Sequence, residues 1–98
     1  MIKKLDYVFS IGYQGDTAIV DGKNRKQYGK LSAGKLAEKG MFKPALCSAL
    51  YDQNEEEQKH VLALYNERTG ANYASVEELK KVFGIFTLTG QITRVKII

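Results

Sequence analysis

Residues 5–20, LDYVFSIGYQGDTAIV, decide how the chain begins and therefore which class of fold it can enter. Every odd position from Leu5 to Tyr13 is apolar or aromatic (Leu5, Tyr7, Phe9, Ile11, Tyr13), and the even positions are polar or small except Val8. A repeat of two places one side of a strand on a core and the other towards solvent. Tyr13 to Asp16 reads as a turn in which Gly15 can take positive φ, and Thr17 to Val20 is a second short β-branched run. The expectation is an N-terminal β-hairpin.

Downstream, Asp21-Gly22 is a two-residue hairpin signal, so Lys23 to Tyr28 is expected as a third, polar strand or as a loop. Ser32 is a good N-cap, with Leu31 and Leu36 placed as a hydrophobic staple and Gly40 as terminator, which predicts a short helix over Ala33–Lys39. A second helix carries Pro44 near its first turn and apolar residues at 42, 45, 46, 49 and 50, the spacing of a core-facing stripe. Asn54 caps a third helix with Glu55, Glu56 and Glu57 in its first turn and Arg68 in its last, before Gly70. Ser75 and Glu78 form a capping box for a fourth, closed by Gly84. Ile85–Thr89 and Gln91–Ile98 are β-branched runs around Gly90 and predict a C-terminal hairpin. The whole is a single α+β domain over 1–98: an N-terminal hairpin, about four short helices and a C-terminal hairpin, the two hairpins joined in one antiparallel sheet with the helices on one face.

Composition agrees with a folded domain. Ninety-eight residues are 44% hydrophobic and 27% charged, close to globular averages. A single cysteine, Cys47, cannot close an intramolecular disulfide, which points to the reducing cytoplasm. Lys3 and Lys4 sit where a signal peptide carries its charge, yet Asp6, Ser10 and Gly12 interrupt the apolar residues behind them, and no stretch has the length of a membrane span. A soluble cytoplasmic protein is expected, with no membrane partner.

The net charge of +4 is unevenly distributed. Between Lys23 and Lys43 lie seven bases and one acid, Glu38, a local excess of +6 that leaves −2 for the rest. Lys23, Arg25, Lys26 and Lys30 surround Tyr28, a mixture of cations and a stackable ring that suits phosphate contact and base stacking. Lys35, Lys39 and Lys43 extend the set. The alternative explanation of the same residues is a lysine-rich edge that resists sheet-to-sheet aggregation. The two helices after Ser32 have the spacing of a helix-turn-helix, but the second presents almost no basic or amide side chains to base edges, so backbone contact without base readout is the expected mode.

Other chemistries find little support. Cys47 lies among alanines and leucines inside a helix, and the one histidine, His60, follows Glu56 and Glu57 by about one turn, so neither belongs to a nucleophile–base pair. One Cys and one His exclude a structural zinc site. Glu55, Glu56 and Glu57 diverge around a helix and cap it rather than converge on a cation. Gly12-Tyr13-Gln14-Gly15 has the spacing of a G-x-x-G backbone clamp but no lysine and a hairpin context. Neither a phosphate-binding nor a dinucleotide-binding glycine motif occurs. Asp16, Asp52 and Glu67 form a carboxylate site only if the fold brings them together. The expectation is therefore a non-enzymatic binding protein without a cofactor, contacting nucleic acid through 23–43. The alternative partner is protein: Val95, Ile97 and Ile98 on a sheet edge would recruit a second copy or an extended peptide, with surface tyrosines in support.

Overall fold

A computed structural model describes residues 2–85 and 92–98. Within them the chain runs through helix α1 (Lys4–Val8), strands β1 (Ser10–Gln14) and β2 (Thr17–Val20), helices α2 (Gly22–Tyr28), α3 (Ala33–Glu38), α4 (Phe42–Tyr51), α5 (Glu55–Thr69) and α6 (Val76–Phe83), and strand β3 (Arg94–Ile97). The α+β class is as expected, with six helices rather than about four among the described residues.

The N-terminal hairpin forms, but only from Ser10 onwards. β1 and β2 pair antiparallel from Ser10↔Val20 to Gln14↔Thr17 across Gly15, whose φ is +59°. Leu5 to Val8, expected in the strand, instead wind into α1. Val8, the one residue that broke the alternation, explains why: Leu5, Val8 and Phe9 stand at i, i+3 and i+4, and Val8 and Phe9 are buried. Tyr7 is buried as well, so the segment is covered on most sides and its alternation carried no information about period. Ile11, expected on the core side, is 55% exposed because the register shifts between Ser10 and Gly12.

Asp21 and Gly22 do not turn a hairpin either. Asp21 caps α2 by accepting the Asn24 N–H at 3.2 Å, and Lys23–Tyr28 is helical rather than strand or loop. Gly22 serves a close approach: a Cβ there would meet the Ile97 Cγ2 at 2.5 Å and the Ile98 carbonyl oxygen at 3.0 Å.

The three side-chain N-caps read from sequence for α3, α5 and α6 all form. Ser32, Asn54 and Ser75 accept the N–H groups of Lys35, Glu57 and Glu78, and Gly70 and Gly84 close α5 and α6 in the left-handed conformation. At Ser75 the box is modified, since Glu78 reaches back to the Ala74 N–H at 2.8 Å. α4 lies at the centre. Ala45 to Ala49 are buried in succession, and α1, α3 and α5 all pack against the helix. Its Leu46 joins Leu36, Val20, Val61 and Leu79 as the largest fully buried side chains. Burying a leucine or valine of this kind contributes about 1.5–3 kcal/mol relative to exposure, so the core is built from many such increments across distant segments.

The C-terminal strand departs from the expected topology. β3 pairs with β2 in parallel, Thr17↔Arg94 to Val20↔Ile97, giving a mixed sheet in the order β1-β2-β3 rather than an antiparallel one. Its entry is set by the first turn: the Asp16 carbonyl accepts the N–H groups of Thr93 and Arg94 at 2.9 and 3.1 Å. Ile85 lies outside regular structure. The remainder of the expected first arm, Gly90 and the start of the second arm fall at 86–91, outside the described residues.

Candidate functional site

α2 is the element that organises the basic stretch, and it has two sides. A helix turns about 100° per residue, so Lys23 and Lys26 share one side while Arg25 and Tyr28 occupy the opposite one. Lys23 and Lys26 are exposed, as is Lys30 one residue beyond the C-cap Gly29. Lys35 in α3 and Lys39 at its C-cap are exposed too. The ion pairs among the described residues use Lys4, Arg25, Lys80 and Arg94, and none of these five lysines. Glu38, the one acid in the stretch, is exposed and enters no ion pair in that set.

Three of the eight expected contact residues are placed differently. Arg25 turns to α1, its Nε 3.1 Å from the Asp6 Oδ1. Tyr28 packs against the core with Leu5 and Leu31, which withdraws its ring from base stacking. Lys43 is half-buried in a groove of about 230 Å³ beside Asp21, Asn24 and Pro44. The surface set is therefore Lys23, Lys26, Lys30, Lys35 and Lys39.

The Asp6–Arg25 pair was not legible in the sequence, because α1 itself was not. The Asp6 side chain is 9% exposed and that of Arg25 35%. Burying a carboxylate costs several kcal/mol unless a counter-charge accompanies it. The proximity is electrostatic: Asp6 Oδ1 and Arg25 Nε are both inaccessible to solvent, and neither makes a hydrogen bond among the described residues. At 3.1 Å the Nε–H is not aimed at the oxygen, so the charges attract without the directional bond.

This pair lies against a larger groove, of about 690 Å³, between α1, α2 and the C-terminal strand. Ile2, Lys3, Asp6 and Arg25 line one part, and Ile92, Thr93, Val95 and Ile97 the other. β3 is an edge strand. Arg94 and Ile98 donate their N–H groups to Asp16 and Val20, so alternation along a parallel ladder turns the main-chain groups of Val95 and Ile97 outward.

The remaining candidates separate. Asp16 meets Arg94 and Thr93 at the hairpin turn, with Oδ2 3.9 Å from the Arg94 Nε and accepting the Thr93 hydroxyl at 3.3 Å. Asp52 pairs with Lys4 at 2.7 Å. Among the described residues no three His, Cys, Asp or Glu side chains are grouped to hold a metal ion. Cys47 is buried, and desolvation pushes its thiol up to about 12, which keeps it protonated at neutral pH. α4 is covered along 45–49 and is thereby removed from any groove-reading role. None of the six tyrosines is exposed: Tyr7 is buried, and Tyr65 packs within 5.1 Å of Phe42 and 5.4 Å of Phe83 between ring centroids. Surface tyrosines therefore do not support an interface. Among the described residues no helix is long and apolar enough to cross a membrane.

No protein-family model, curated protein or solved structure matches the chain.

Proposed function

We propose that this is a small non-enzymatic binding protein that contacts nucleic-acid backbone through Lys23, Lys26, Lys30, Lys35 and Lys39. The observation that carries the reading is that these five exposed lysines enter no ion pair among the described residues. Lys23 stands in the first turn of α2, at the positive end of the helix dipole, where a cation costs a few tenths of a kcal/mol rather than stabilising. Its charge is thus better matched to an external anion than to its own helix. Contact would be with phosphate and without base readout, since Tyr28 and Arg25 face inward.

The test is titration of a labelled oligonucleotide across salt. Five phosphate contacts correspond to a slope of log affinity against log salt of about −3.5 on a single strand and about −4.5 on a duplex, roughly a hundredfold loss or more between 50 and 200 mM. A flat salt dependence rejects the reading.

A second reading, association with another copy through β3, is favoured by the outward main-chain groups of Val95 and Ile97. Light scattering decides it: a concentration-dependent dimer supports it, and a monomer at every concentration removes it.

A further inference from the structure

We infer that the groove between α1, α2 and β3 binds a small aliphatic carboxylate. Its volume, about 690 Å³, lies within the range of small-molecule sites. Its walls divide by chemistry. Ile2, Ile92, Val95 and Ile97 supply a wholly aliphatic surface, with Val95 and Ile97 40% and 57% exposed. Apolar side chains left open to water beside a buried residue such as Ile2 gain by covering one another with a third apolar body.

The polar part is equally specific. Lys3, Arg25 and Asp6 sum to one positive charge, which matches one negative charge on the occupant. Asp6 is more than nine-tenths buried at its side chain and lines the groove, yet no hydrogen bond among the described residues uses its carboxylate or the guanidinium of Arg25. The Oδ1 and Nε atoms are closed to solvent, while Arg25 as a whole keeps 35% of its side chain exposed and lines the groove, so a ligand would meet the guanidinium through its Nη groups. A planar fork of N–H donors is the geometry that takes a carboxylate with two parallel bonds. Asp6 holds that fork in place from behind and is a positioning residue. Lys3 adds a second cation at the rim, and the Thr93 hydroxyl a further donor. The carboxylate head therefore sits at Arg25 and Lys3, and the aliphatic tail lies along Ile92, Val95 and Ile97.

The site is independent of the five exposed lysines, none of which lines the groove; Lys23 and Lys26 stand on the other side of α2. The probes are octanoate and its uncharged analogue octanamide, each titrated into the isotopically labelled full chain while amide resonances are followed. Octanoate is expected to bind with a Kd of about 1 mM or tighter, at least tenfold more tightly than octanamide, with shifts confined to residues 2–6, 25 and 92–97. Arg25→Gln should weaken octanoate about tenfold and leave octanamide unchanged. Should that variant unfold, Ile97→Asp serves instead: Ile97 is largely exposed, and a carboxylate there should abolish octanoate binding in a folded chain. Binding of both probes with equal affinity would overturn the inference, as would octanoate shifts centred on Lys23, Lys26 and Lys30, no octanoate binding at all, or unchanged binding to Ile97→Asp.

Discussion

The two sides of α2 carry cations of the same sign within one turn of each other, and the structure uses them in opposite ways. Lys23 and Lys26 remain in water without an ion pair among the described residues, whereas Arg25 crosses to α1 and neutralises a carboxylate that is almost fully enclosed. Local charge density therefore identified the basic segment, but neither its helical form nor the division of labour on it. A cation whose counter-charge is buried is held in place by the fold, and one without an ion pair is available to nucleic acid.

Substitution separates the two sides most strongly at Arg25. Arg25→Ala leaves Asp6 enclosed without a counter-charge and should lower stability by about 2 kcal/mol in urea unfolding. That is less than a fully buried pair would lose, because a third of the arginine is solvent-screened. Lys23→Ala combined with Lys26→Ala should stay within about 0.5 kcal/mol of the parent chain. Equal losses from both would erase the distinction.

Alkali probes the core beneath both sides of the helix. Burial raises the Cys47 thiol from 9.0 to about 12 and raises the Tyr7 and Tyr13 hydroxyls above their ordinary value. Above pH 9 the unfolded chain releases the thiol proton and the folded chain retains it, so stability is complete below pH 9 and is lost as pH rises towards 12. Cys47 alone gives a slope of about −1.4 kcal/mol per pH unit in that window, and the tyrosines steepen it above pH 10. Pulse unfolding at pH 8, 9 and 10 measures it, and a flat profile would contradict the burial of Cys47. Asp21→Ala has a smaller effect, about 1 kcal/mol, by removing the cap that accepts the Asn24 N–H. Because it frays the whole helix, hydrogen exchange should rise on both sides of α2 together.

Much of the helical half of the fold was legible, for a physical reason. Ser32, Asn54 and Ser75 act within their own first turns, and Gly70 and Gly84 close the last, so the information is local. α1 was hidden because Tyr7, Val8 and Phe9 are buried in succession, which leaves no period to detect. α2 was hidden because its inward side consists of Arg25 and Tyr28 rather than an apolar stripe, and because Asp21-Gly22 serves equally as a turn and as a cap. The parallel entry of β3 depends on Asp16 main-chain bonds to residues almost eighty positions away, which no window of sequence contains. The same reasons fix what was readable of the candidate site: lysines at surface positions follow from charge, whereas the direction of Arg25 required knowing where Asp6 would be.

The division of α2 is tested most directly by the salt dependence of oligonucleotide affinity in three chains compared side by side. Replacing Lys23, Lys26 and Lys30 together by alanine should flatten the slope of log affinity against log salt by about 2–3. Asp6→Asn combined with Arg25→Gln removes one charge of each sign and should leave the slope of the parent chain unchanged. An unaltered slope in the lysine variant, or a slope that collapses in the neutralised pair, would contradict the assignment of the lysine side to nucleic acid and of the arginine side to Asp6 and its groove.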